Sequence, residues 1–219
     1  MDLRGTTAAR CRRIASAVGV IARRSASRIG RRLLDLAPSD TGTEEAEILP
    51  EEFCRIRERV APFTMTSTDR LYALYEAVRY VESAALGGDF VECGAWRGGS
   101  SMLMALTLGQ SSRRIWIYDT FEGMPDPGEH DRRFSGEHAR ESLRSVPRVA
   151  GESNDWAWAS LDDVRANMGT TGHTDVEFVA GKVEETIPAR GPDQIAVLRL
   201  DADWYESTRH ELEHSIRGW

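Results

Sequence analysis

Three carboxylates stand where short apolar runs give way to turns: Glu92 in "DFVECGAWRGGSS", Asp119 in "IWIYD" and Asp201 in "IAVLRLDADWYEST". After Glu92, Gly94 lets the chain turn close to a ligand, while Gly98 and Gly99 lead into a helix at Ser100. A helix start offers unpaired N–H groups to a carboxylate or phosphate. Asp119, at the end of the second run, is placed to accept hydrogen bonds from both hydroxyls of a ribose. Asp201 could ligate a hard divalent cation or take the proton of an attacking hydroxyl. Asp203 alternates with Asp201, so in an extended segment both point the same way. We expect Asp203 or Ser207 to cap the next helix and Asp201 to carry the chemistry.

These residues need strands that end together and helices that return the chain. Four strands are expected, at Phe90–Cys93, Ile115–Asp119, Val176–Ala180 and Ile195–Asp201. "STDRLYALYEAVRYVESAALGG" reads as a helix, with Ser67 or Thr68 at its start, a stripe of Leu71, Leu74, Tyr75, Val78 and Val81, and Gly87 and Gly88 at its stop. "SSMLMALTLG" is a second helix, closed by Gly109. "SLDDVRANM" is a third, with Ser160 capping and Asp163 three positions on. Alternating strands and helices imply βαβ units, hence an α/β fold with a parallel sheet and helices on both faces. Residues Pro125 to Asn154 are charged and poor in apolar side chains, which suits a lid or insertion. His130, His138 and His173 lie in or near it and could face a substrate, although the solvated reading is preferred for each.

The charge is uneven. Residues 1–36 carry nine Arg against Asp2 and Asp35, a balance of +7, so the remainder sits at −14 within a net −7. An acidic body argues against a nucleic-acid-binding face, which needs clustered Lys and Arg. The basic arm has apolar residues at roughly helical spacing and suits a mobile or partner-packed arm, with membrane-surface contact or targeting as alternatives. An acidic linker with a Pro and a Gly follows, which divides the chain into an arm and linker at 1–47 and a folded domain at 48–219. Cys11, Cys54 and Cys93 have no metal-like spacing, and a reduced, cytoplasmic setting is expected. No apolar run approaches the ~20 residues of a membrane-spanning helix.

An acid after the first strand, glycines, and an acid after the second suggest an adenosine-containing ligand with no demand for phosphate. Two carboxylates also suit a cationic ligand, so S-adenosylmethionine fits better than NAD. The absence of G-x-G-x-x-G counts against an oxidoreductase as well.

Together, "FTMTSTDRLYALYEAVRYV", "GDFVECGAWRGGSSMLMALTL", "IYDTFEGMPDP", "GKVEETIP" and "LRLDADWYESTRHELEH" resemble the macrocin O-methyltransferase family, over roughly Phe63 to His214. The resemblance implies a Rossmann-like class I methyltransferase sheet and S-adenosylmethionine- and magnesium-dependent methylation of a hydroxyl on a sugar or other small natural product. Glu92, Gly94, Ala95, Trp96, Gly99 and Ser100 would then line the methionine part of the cofactor. Asp119 would hold its ribose beside Thr120 and Phe121, and Gly181 and Lys182 would lie near the adenine. Thr66 and Ser67 would fold over the cofactor, and Asp201 would be both magnesium ligand and general base.

The same resemblance expects a fifth strand ending in paired aspartates that complete the magnesium site. Here "ELEH" is followed by "SIRGW". The expectation is a C-terminally truncated domain without the last strands and with an incomplete Mg2+ site. In the family's strand order the fourth strand's edge would be open, which invites pairing with another chain and makes a homo-oligomer an expected form. A catalytically inactive remnant that binds only cofactor or a partner is the alternative reading.

Overall fold

A computed structural model describes residues 49–143 and 157–215. The basic arm and linker, the later part of the insertion and "IRGW" lie outside the described residues. The chain divides into two units, at Glu58 and Arg59. Helix α1 (Glu51–Val60) begins with two acids in its first turn, where they complement the helix dipole.

A 3-10 turn (Ala61–Phe63) leads to α2 (Thr68–Ser83), β1 (Asp89–Cys93), α3 (Gly99–Leu108) and β2 (Ile115–Asp119). Then come a short α4 (Ala139–Leu143) in the insertion, α5 (Leu161–Gly169), β3 (Val176–Ala180), α6 (Val183–Thr186), β4 (Ile195–Leu200) and α7 (Tyr205–Ser215). The strands form one parallel sheet in the order β3-β2-β1-β4. Among the described residues β4 pairs with β1 alone.

The strand alternation separates two faces. Val91, Cys93, Tyr118 and Val179 pack with Val183 and Ile187 on one of them. Trp116, Ile195, Leu198 and Leu200 stay only partly buried on that face. Glu92 and Arg199 belong to the opposite face, where α3 lies and Ser101 reaches Glu92. Helix α3 has an almost wholly buried run from Gly99 to Ala105, so it is buried all round and shows no stripe. Among the described residues no helix is long and apolar enough to cross a membrane.

Strand β1 and helix α3 begin one residue earlier than expected, at Asp89 and Gly99, and two other boundaries depart more tellingly. Helix α2 stops at Ser83, with Ala85 in the left-handed conformation, well before Gly87. Gly88 is instead needed for a close approach, since a Cβ there would stand 2.9 Å from the backbone of Gln194 and Ala196. Strand β4 ends at Leu200, one residue before Asp201. Ser160 caps α5 as expected, accepting from the Asp163 amide at 3.1 Å and donating to the Asp163 carboxylate at 2.7 Å.

Candidate active site

A cavity of about 530 Å³ opens at the carboxyl ends of the strands, where open α/β sheets place their ligands. Of the sequence-expected residues, Thr66, Glu92, Gly94, Ala95, Trp96, Ser100, Asp119, Thr120, Gly181, Lys182 and Asp201 line it. Ser67, Gly99 and Phe121 do not. Ser67 occupies the N-cap position of α2 but makes no side-chain cap hydrogen bond. Phe121 is buried, and it is its amide that contributes, donating to Asp119 Oδ1 at 2.8 Å.

The glycines in the turn after β1 answer to neighbouring chain more than to open space. A Cβ on Gly94, whose φ is +82°, would meet the Asp201 carbonyl carbon at 2.6 Å. One on Gly99 would meet the Phe63 carbonyl carbon and the Thr64 Cβ, each at 2.6 Å. Two strand ends and the segment before α2 therefore converge on this turn.

Asp119 clamps the same turn. Its Oδ2 accepts the amides of Ala95 (2.7 Å) and Trp96 (3.1 Å), so with the Phe121 amide it takes three backbone donors. A carboxylate has about four lone-pair sites, which leaves about one for a ligand. Burial pushes the Asp119 carboxyl above the usual range, against the pull of these amides. Trp96, Phe121 and Asp203 all have positive φ (49°, 56° and 63°), one after each of β1, β2 and β4. Bulky residues rarely adopt this conformation, and such strain gathers at functional sites. The Trp96 ring faces the Arg97 guanidinium at 5.1 Å.

Glu92 is 1% exposed, and both of its oxygens are engaged. Ser101 Oγ donates to Oε2 and Arg199 Nη1 donates to Oε1 at 2.7 Å. Burial raises the Glu92 carboxyl's pKa, and Arg199 works in the opposite direction. Arg199 Nη2 donates to Asp201 Oδ2 at 2.7 Å and to Thr66 Oγ1 at 3.0 Å. Arg199 is the member of this site that the motifs do not point to. Its signal is a lone cation inside an otherwise apolar strand, which burial obliges to find a partner.

Asp203 corrects two expectations. It sits in a left-handed turn, not an extended segment, so strand alternation does not set its direction, although it lines the cavity as Asp201 does. Nor does it cap α7: Asp131, 8% exposed, accepts the Tyr205 amide at 2.8 Å through Oδ1 and the Gly128 amide at 2.6 Å through Oδ2. Ser207 donates instead to Glu184 at 2.8 Å. Trp204 Nε1 donates to the Pro125 carbonyl at 3.0 Å, so the insertion is tied twice to the segment after β4.

The insertion and α7 also wall a second cavity of about 620 Å³, which shares Met124, Asp131, Asp203 and Trp204 with the first. Of the three histidines only His130 lines either of these two cavities, the second one, where its ring lies 4.9 Å from that of Tyr205. His138 accepts the Arg140 amide, and His173 bonds the Arg113 carbonyl.

Among the charged residues lining the first cavity, eight carboxylates face three cations, Arg70, Lys182 and Arg199. Such a wall suits a cationic ligand and opposes a pyrophosphate. A magnesium ion fits less well. It prefers an octahedron of oxygens, whereas Arg199 already holds one oxygen of Asp201, and no group of three or more His, Cys, Asp or Glu placed to hold a metal occurs among the described residues.

Known proteins resemble this chain in sequence and in fold. Residues 57–216 match the family described as "Macrocin-O-methyltransferase (TylF)". The chain is 37% identical over 159 residues to the 8-demethyl-8-(2,3-dimethoxy-alpha-L-rhamnosyl)-tetracenomycin-C 4'-O-methyltransferase of Streptomyces olivaceus, covering 69% of this chain and 56% of that protein. It is 35% identical over 154 residues to the demethyldecarbamoylnovobiocin O-methyltransferase of Streptomyces niveus, covering 66% of this chain and 53% of the relative. The chain thus spans about half the length of these curated relatives. Among solved structures, the O-methyltransferase NovP superposes with a TM-score of 0.58 at 32% identity, over 71% of this chain and 62% of that one. The calicheamicin methyltransferase CalS11 shares the fold, with a TM-score of 0.51 at 23% identity over 84% of this chain and 68% of its own.

Proposed function

The chain belongs to the macrocin O-methyltransferase family, and from that membership we propose that it is an S-adenosylmethionine-dependent O-methyltransferase acting on a hydroxyl of a glycoside or another small natural product. The observation that carries the proposal is the cavity at the ends of four parallel strands, with its excess of carboxylates over cations. That charge balance matches a sulfonium and disfavours a dinucleotide.

When bound, the cofactor supplies a methyl carbon: its bond to sulfur breaks with the electron pair left on sulfur, and a bond to the acceptor oxygen forms. An alcohol must lose its proton as this happens. Asp201 takes that proton on Oδ1, the oxygen that Arg199 does not hold. Glu92 and the turn from Gly94 to Ser100 receive the methionine end. Asp119 accepts one ribose hydroxyl at its remaining lone-pair site, and Gly181 and Lys182 border the adenine. Trp96, strained and facing the cavity, closes one wall against water. The acceptor enters from the adjoining cavity under the insertion, whose side chains select it. Holding both reactants in line supplies the rest of the rate.

The Streptomyces olivaceus relative acts on a rhamnosylated tetracenomycin by its own description, which supports a sugar hydroxyl as the target. The donor set at Asp201 favours a second reading, a chain that holds cofactor without turning it over. Thermal unfolding with added ligand tests the cofactor assignment, because a ligand that binds only the folded state raises Tm. S-adenosylmethionine should raise it and NADH should not; stabilisation by NADH alone would reverse the assignment. Methyl transfer to any hydroxyl acceptor by this chain would remove the second reading.

A further inference from the structure

We propose that Arg199 is a positioning residue, which sets Thr66 and Asp201 against Glu92 so that the cofactor and acceptor sides of the site share one register. The inference rests on the methyltransferase reading above and goes beyond it in giving a role to a residue that touches neither reacting atom.

Arg199 stands opposite Glu92 in the parallel ladder of β1 and β4, so both side chains leave the sheet on one face. One guanidinium nitrogen holds the Glu92 carboxylate, and the other holds Asp201 and Thr66, at 2.7, 2.7 and 3.0 Å. These three partners come from three separate segments: the end of β1, the turn beyond β4, and the stretch before α2. The Asp201 backbone is held by its amide, which donates to the Cys93 carbonyl at 2.8 Å. The side chains of Asp201 and Thr66, however, make no other hydrogen bond among the described residues. Asp201 lies beyond the last ladder residue of β4, with a side chain 44% exposed. Thr66 belongs to an irregular segment whose local bond is its own amide to Thr64 Oγ1 at 3.0 Å. The guanidinium is therefore what fixes the Asp201 and Thr66 side chains over the cavity.

The arrangement needs the planar fork of arginine. Five donors in fixed directions can serve three acceptors at once, whereas an ammonium on a flexible stem is a point charge. The Arg199 side chain is only 16% exposed, so the fork is held in place by packing. By taking Asp201 Oδ2, it leaves Oδ1 as the oxygen that faces an acceptor.

The test is a double-mutant cycle read by calorimetric titration of the 219-residue chain with S-adenosylhomocysteine. Thr66→Val should weaken binding by roughly tenfold in the parent chain, the worth of one charge-assisted hydrogen bond. The same change should cost less than about twofold in an Arg199→Lys background, since the contact is already lost. Arg199→Lys keeps the charge and should leave Tm within a few degrees, so it separates positioning from folding even if Arg199→Met fails to fold. Equal, additive losses in both backgrounds overturn the proposal, as does unchanged affinity in a folded Arg199→Lys protein. If the parent chain binds no S-adenosylhomocysteine, the methyltransferase reading fails together with this one; if it binds and the effects are additive, only this one fails.

Discussion

Glu92 and Arg199 are register partners on neighbouring parallel strands, and their side chains close a 2.7 Å ion pair at the floor of the cavity. Breaking a buried pair from one side leaves an uncompensated charge, which costs about 3–5 kcal/mol. Arg199→Met should therefore destabilise the protein more than Arg199→Lys does. Urea unfolding of the two variants checks the order, and equal stabilities would show that the pair contributes little.

Gly94 is required by its neighbour and by its backbone. An added Cβ would press on the Asp201 carbonyl at a φ of +82°. Gly94→Ala should cost more than about 1 kcal/mol, beyond the small gain that alanine gives through the unfolded chain. Chemical denaturation measures this, and a neutral or stabilising result would mean that β4 does not end where it is placed.

Asp131 joins the insertion to the start of α7 through the amides of Gly128 and Tyr205. Asp131→Ala should cost about 0.5–2 kcal/mol, as the loss of a helix cap does. It should also speed hydrogen exchange at the Tyr205 amide. Unchanged exchange there would dismiss the tether.

Glu211 is fully buried on α7, and among the described residues neither of its oxygens meets an N–H or O–H donor. Burial, helped by the nearby Glu184 carboxylate, pushes its pKa from 4.5 to about 7, against the pull of the Cys93 thiol. The unfolded chain releases this proton at lower pH than the folded one. Stability from this group is therefore fully present below about 4.5 and is lost as pH rises through about 7. Tm should fall between pH 5 and pH 8. Glu211→Met should flatten that profile and raise stability at pH 8 by about 1–3 kcal/mol, the cost of an unpaired buried polar group. A profile unchanged by the substitution would remove Glu211 as its source.

Much of this architecture is legible in the residues. "IWIYD" runs from β-branched and aromatic side chains straight into a carboxylate, so β2 and its terminal acid can be read together. Ser160 with Asp163 marks the start of α5 for the same local reason. The remainder depends on what lies opposite. Arg199 acquires its meaning only once β4 is laid beside β1, because the register selects Glu92 as its neighbour. Asp131 lies 74 residues from the amide it caps, and no local pattern joins the two. Ala85 takes the left-handed turn expected of Gly87, while Gly88 is needed where the backbone of β4 approaches. Glu211 reads as an ordinary helix acid until a sheet covers its face.

Whether the strand-end cavity holds S-adenosylmethionine is decided by equilibrium binding of the methyl-labelled cofactor to the 219-residue chain. Asp119→Ala belongs alongside, since that change frees the Ala95, Trp96 and Phe121 amides and opens the turn. The expected result is one saturable site, displaced by S-adenosylhomocysteine, left intact by NADH, and weakened at least about tenfold in the variant. Binding that NADH displaces, or that Asp119→Ala leaves unchanged, would contradict the assignment.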